Sequence, residues 1–209
     1  MKKQSILLLV LFVCLAMPTL AQNKNKKVEG RIQLAREKYS EAMELINTSY
    51  EEGNYTTVVR NQVWPAIGPK TEKLEFFYTE VTDEEWSPNP SGYNLLMADR
   101  KYNVTVRNHH EEYLFDENGK PLFYFTHFCE VIDSDKYDFP IYGSYETGLP
   151  EFEVRLYYDE NGKVIRSIYK MFDDNRMMKE ITGSQVKIID DLYFNVDFDY
   201  VKGIFDAIY

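Results

Sequence analysis

The sequence has few of the groups that most often carry chemistry or cross-link a chain. It contains two cysteines. Cys14 lies inside an N-terminal apolar run, so Cys129 is left without a partner once that run is removed, and no internal disulfide is expected. Three histidines leave few imidazole bases. No Gly-x-Ser-x-Gly, His-Glu-x-x-His, phosphate loop or Cys-x-x-Cys occurs, so the common nucleophile, zinc-protease, nucleotide and thiol-redox signatures are missing. Basic side chains number 24 against 34 acidic, a net charge of −10, and only Lys24, Lys26 and Lys27 cluster. Such a chain repels phosphate backbones and anionic lipid, which argues against nucleic acid as a partner. No apolar run reaches the ~20 residues that a membrane span needs.

What is present begins with a leader. Lys2 and Lys3 precede the apolar stretch Ile6 to Ala16, and Thr19-Leu20-Ala21 supplies a small residue at a cut site. These features predict a signal peptide over 1–21 and a mature N-terminus at Gln22. Cys14 follows Leu11-Phe12-Val13 and not a junction of small residues, so simple export is expected in place of lipidation. An exported domain without bridges must be held by its core, and it fits a bacterial source better than a eukaryotic one. Three sequons, at Asn47, Asn54 and Asn103, point the other way, but the motif is short and Asn47 falls in a predicted helix. The expected location is the periplasm, the cell surface or the medium.

Residues 22–209 read as a single α+β domain. Val28, Ile32, Ala35, Tyr39, Ala42, Met43, Ile46 and Tyr50 recur at three- and four-residue steps, which predicts an amphipathic helix ended by Gly53. From Leu74 the pattern shortens into β-branched and aromatic runs: 73–81, 93–100, 102–115, 121–132, 152–158 and 163–172. They predict five or six mostly antiparallel strands. A closing helix is expected from Phe198, Val201, Ile204, Phe205 and Ile208, with Gly203 counting against it. The loops 83–94 and 134–151 are conspicuous, and the second is long for a compact domain.

The pentad Asp-Glu-Asn-Gly-Lys occurs twice, at 116–120 and 159–163. With either glycine at the sixth position of a calcium loop, the first and twelfth positions are Leu114 and Phe125, or Tyr157 and Ile168. None of these can ligate, so an EF-hand is excluded. Three-residue hairpin turns fit instead, with Gly119 and Gly162 taking the left-handed conformation. Pairing Asp116 with Lys120 sets Tyr113 opposite Phe123 and brings His109, His127 and Glu111 to one face. The first hairpin is apolar on both sides and should lie centrally. Pairing Asp159 with Lys163 gives a buried face carrying Phe152, Val154, Leu156 and Tyr158. The opposite, wetter face carries Glu153, Arg155, Tyr157 and Tyr169.

Several groupings of side chains follow. His109, His127 and Glu111 would suit zinc, and Asp133, Asp135 and Asp138 would suit calcium. Neither set is a cofactor signature, and no cofactor is expected. Glu151 and Glu153 resemble paired acids for glycoside hydrolysis, yet carboxylates are abundant in this chain. Cys129 reads as a buried small apolar residue. Aromatic residues are in surplus, with 17 Tyr and 13 Phe. Tyr137, Phe139, Tyr142 and Tyr145 lie in the long loop and Trp86 in the Pro-rich one. Exposed rings with polar tips suit a binding surface.

The segments "EVRLYYDENGKVIR" and "EEYLFDENGKPLFYF", together with the leader ending Ala-Gln, resemble exported proteins of Bacteroidetes-type bacteria, many of them domains of unknown function. The likeness spans the two hairpins and the leader; it implies an envelope location and carries no site residues across. The reading is a non-catalytic binding domain that contacts a neutral or cationic ligand, such as a glycan or peptide, or a partner protein. Its expected ligand residues are Tyr142, Tyr145, Arg155, Tyr157 and Tyr169. The alternatives are a metal- or carboxylate-dependent hydrolase and a structural or inhibitory module; nothing in the sequence favours an enzyme.

Overall fold

A computed structural model describes residues 2–53, 55–65, 68–80 and 92–209, without the side chains of 2–25, Trp64 and Pro69. Most of the 83–94 loop, with Trp86, lies outside the described residues. The first element is a helix, α1 (Lys2–Glu52). Gly53 follows it at a φ of +76°, the left-handed stop expected there. Among the described residues eight strands come next: β1 (Thr56–Trp64), β2 (Gly68–Glu80), β3 (Tyr93–Val104), β4 (Arg107–Phe115), β5 (Pro121–Cys129), β6 (Glu151–Tyr158), β7 (Val164–Phe172) and β8 (Met178–Glu180). They pair in sequence order, every pair antiparallel. The chain closes through a 3-10 segment, Gly183–Asp191, into α2 (Phe198–Ile208). Asp197 caps α2, its carboxylate accepting the Tyr200 amide at 2.9 Å.

The sheet therefore has more strands than the five or six expected. β1 carries Arg60, Asn61 and Gln62 and has no strong apolar signature, and β8 is only three residues long. The run 102–115 also divides, because Thr105 adopts a φ of +57° and turns the chain between β3 and β4.

Both faces of the sheet are covered, as the two-sided hairpin implied. On one side, Ile32, Ala35, Ala42 and Ile46 of α1 pack on Phe77, Met97, Leu114, Phe123 and Tyr157. On the other, Phe198, Val201 and Phe205 of α2, with Ile188, pack on Phe76, Tyr113, Tyr124, Phe128 and Phe152. The α1 stripe is narrower than its periodicity suggests, since Met43 and Tyr50 stay largely exposed.

The two pentads are hairpin turns. Gly119 and Gly162 sit at φ +70° and +74°. Asp116 Oδ1 accepts the amides of Asn118 and Lys120, both at 3.0 Å. Asp159 Oδ1 does the same for Asn161 and Lys163 at 2.9 and 3.0 Å. These amides hold the Asp159 carboxyl below the usual carboxylate range, with Lys163 first. The acids thus satisfy turn amides. A third turn repeats the design without glycine: Asp173 Oδ1 accepts Asn175 and Met177 at 2.9 and 2.8 Å, and Arg176 takes the left-handed position at φ +58°. No atom lies near a Cβ added at Gly162, so Gly162→Ala meets only the backbone penalty. A loss of roughly 1–2 kcal/mol is expected in denaturant unfolding; an unchanged midpoint would contradict the turn.

The expected cross-strand facing needs correction. A bulge beside each turn, at Leu114/Phe115 and at Tyr157/Tyr158, offsets the pairing by one residue. Tyr113 opposes Tyr124, and His127 opposes His110. Ile168 joins Arg155 on the α1 side, whereas Tyr169 opposes Val154 on the α2 side.

Candidate functional site

α1 crosses the sheet diagonally. Near the pentad turns, Arg31 donates to the Tyr158 carbonyl at 3.1 Å and pairs with Asp116 at 3.0 Å. Further along, the Tyr39 hydroxyl donates to Glu112 Oε2 at 2.8 Å, and Tyr50 packs on Phe77. The helix thus covers the cross-strand row Phe77–Met97–Leu114–Phe123–Tyr157. The strand ends away from the pentads, on the same face, are left open. A polar row runs there in register: Lys73, Lys101, His110, His127, Glu153 and Lys170.

A cleft of about 550 Å³ lies over this open half-face. Thr71, Lys73, Lys101, Asn108, His110, His127 and Glu151 line it from the strands, and Glu146 and Thr147 wall it from the 134–151 loop. The loop is held in place by its own bonds: the Ser144 amide donates to Leu149 O at 2.9 Å, and the Thr147 amide donates to Ser144 Oγ at 3.0 Å. Gly143 lets the two arms of this turn approach, because a Cβ there would stand 2.1 Å from the Gly148 carbonyl oxygen. His127 Nε2 of β5 and Glu151 Oε2 at the start of β6 are 3.0 Å apart, and the Thr147 hydroxyl ties the loop to the same carboxylate at 3.4 Å.

The cations of the cleft are already matched. Lys73 pairs with Glu75 at 2.8 Å and Lys101 with Asp99 at 3.0 Å. His110 Nε2 stands 3.2 Å from Asp99 Oδ1. With Lys73 and Lys101 neutralised by Glu75 and Asp99, Glu146 and Glu151 remain as carboxylates on the cleft wall. Its surface combines apolar contact, from Tyr102 and Phe128 among others, with hydrogen-bonding groups, and offers no free lysine to an anion.

No family model matches the chain, and neither a curated protein nor a solved structure is significantly similar to it.

The residues expected to bind are not all brought together. Arg155 and Tyr157 share a second cavity under α1, with Tyr157 buried. Tyr169 is half-buried in the α2-side core. The long loop divides: Tyr137 and Phe139 pack on that core, whereas Tyr145 is 88% exposed. Tyr142 and Tyr145 stand beside the Arg176 guanidinium, 5.7 and 5.1 Å from it. The bulge beside the first pentad puts His109 and Glu111 on the α2 face and His127 on the other, although both histidines border the cleft. Asp133, Asp135 and Asp138 lie exposed around a short 3-10 turn. Among the described residues no group of three or more such side chains is placed to hold a metal. Cys129 is buried, its thiol donating to Val106 O at 3.4 Å. Glu153 is engaged by Arg155 and Lys170. Lys73, Lys101, Asn108, His110 and Thr147 were not legible as site residues. Counting strand parity from a bulged turn would have found the facing of His110 and His127.

Proposed function

We propose that the protein is an exported, non-catalytic binding domain of the bacterial envelope, with its ligand in the cleft between the open half-face and the 134–151 loop. The observation that carries this reading is the cleft itself. It is of ligand size, walled in part by the 134–151 loop, and lined by the aromatic residues Tyr102 and Phe128 together with hydroxyl, amide, imidazole and charged groups. A site that joins aromatic surface to hydrogen-bonding groups, with its lysines already paired, favours a neutral polar molecule over an anion. A neutral oligosaccharide is the class whose many hydroxyls fit it best. The leader supports export, and the hairpin resemblance supports an envelope location.

The test is capture on an array of neutral and charged oligosaccharides, followed by calorimetry on the captured sugars. Neutral sugars are expected to bind, and the double variant Lys101→Ala, Asn108→Ala to lose about tenfold in affinity, at roughly 0.5–1.5 kcal/mol per hydrogen bond. Unchanged affinity, or capture of charged sugars alone, would reject the cleft. Release of new reducing ends would replace this reading with the hydrolase.

A further inference from the structure

A second cavity lies on the other flank of α1, and it does not depend on the reading of the cleft. Ala35, Arg36 and Tyr39 of the helix face Phe123 of β5, Arg155 and Tyr157 of β6 and Ile168 of β7 across a space of about 330 Å³. Ala35 is buried, and its small side chain leaves the gap between helix and sheet. The inner wall is aromatic. Phe123 and Tyr157 are both nearly buried, with ring centres 5.0 Å apart, and Tyr39 meets Phe123 edge-on at 5.7 Å. The Tyr39 hydroxyl is committed to Glu112.

Arg36, exposed on the helix, and Arg155 of β6 are the two charged residues that line the cavity. Arg155 is held in place: Nη2 pairs with Glu153 Oε1 at 2.8 Å, and the guanidinium carbon stands 5.8 Å from the Phe125 ring centre. Glu153 is shared, because Lys170 Nζ reaches the same oxygen at 2.7 Å. Arg155 and Lys170 thus share one carboxylate, Glu153, in a chain whose overall charge is −10. An apolar, ring-lined space bordered by two arginines and no lining carboxylate matches one ligand chemistry. We propose that this cavity binds an anionic amphiphile, a monocarboxylate with an aromatic or medium-length acyl body. The body lies against Tyr39, Phe123, Tyr157 and Ile168, and the carboxylate lies between Arg36 and Arg155, whose planar forks suit it.

The test uses the fluorescent anion 8-anilinonaphthalene-1-sulfonate as reporter and octanoate as competitor, with octanol and octylamine as controls. Octanoate is expected to displace the reporter at least about tenfold more effectively than octanol, since charge-assisted hydrogen bonds to a carboxylate exceed neutral ones. Octylamine should fail. Arg36→Gln and Arg155→Gln should each weaken octanoate about tenfold while keeping the wild-type melting temperature. Ala35→Leu, which fills the cavity, should abolish displacement. The Lys101→Ala, Asn108→Ala variant of the cleft should bind octanoate as wild type does, which separates the two sites. Equal displacement by octanol, full octanoate affinity in both arginine variants, or no displacement by millimolar octanoate would each overturn the proposal.

Discussion

Replacing Arg100 with methionine is expected to destabilise the fold by about 3–5 kcal/mol, because it leaves the buried Glu111 without its cation and takes from the buried Glu72 one of its two arginines, Arg60 being the other. Arg100 donates from Nε to Glu72 at 2.7 Å and from Nη1 to Glu111 at 2.9 Å. Glu72 and Glu111 have no exposed surface. Three tyrosines complete the shell: the hydroxyls of Tyr102 and Tyr113 donate to Glu111 at 2.9 and 2.6 Å, and that of Tyr200 donates to Glu72 at 3.0 Å. The guanidinium also lies over the rings of Tyr102 and Tyr200. This cluster joins β2, β3 and β4 to α2, so its loss should appear in the global transition. In a chain of this size the expected fall in melting temperature is roughly 6–20 °C. Exchanging all three charged groups for apolar residues of similar volume should be milder, since only the partly exposed Arg60 then loses its ion-pair partner. A small effect of Arg100→Met with a severe effect of the triple exchange would contradict the account.

The second large effect concerns acid. His109 is buried in a parallel stack between Tyr102 and Phe128, at 4.5 and 5.3 Å. Burial, and then the charges of Arg100, Arg107 and Lys70, push its imidazole down from 6.5 to about 4. The folded state therefore holds it neutral, and Nδ1 has no hydrogen-bond partner. Because the folded value lies below the unfolded one, its contribution is complete above pH 6.5 and is lost as pH falls toward 4. The loss across that window is at most about 3 kcal/mol. His109→Phe keeps a stacked ring and removes the titration. Burial would raise the Glu72 carboxyl, but Arg100 holds it below its usual range, so its loss comes at lower pH. Denaturant midpoints from pH 7 to 5 should fall for the wild type and stay nearly level for His109→Phe. Parallel slopes would show that His109 is not held neutral.

Much of the architecture was legible in short-range pattern. The α1 stripe, the stop at Gly53, the closing helix and the two pentad turns all follow from residue type at fixed spacing. The failures have local causes. β1 alternates apolar and polar residues too weakly to declare itself, and the turn at 173–177 hides its kinship with the pentads by placing Arg176 where they place glycine. The register error is the instructive one. A left-handed glycine and a bulge come together, and omitting the bulge moved His127 and Tyr169 to the wrong faces. The cleft was half legible for a related reason. The long loop and a wet sheet face could be read from composition. Where α1 lands on that face depends on long-range packing of Ile32, Ala35, Ala42 and Ile46, and this packing decides which polar side chains stay open.

The central claim, that the open half-face and the 134–151 loop form the ligand site, is tested most directly by amide NMR of the isotope-labelled protein titrated with the neutral oligosaccharides captured on the array. The account predicts shifts confined to residues 71–73, 101–103, 108–110, 127–129 and 143–151. Shifts centred on α2, or on the cavity formed by Arg36 and Arg155, with those segments unmoved, would contradict it.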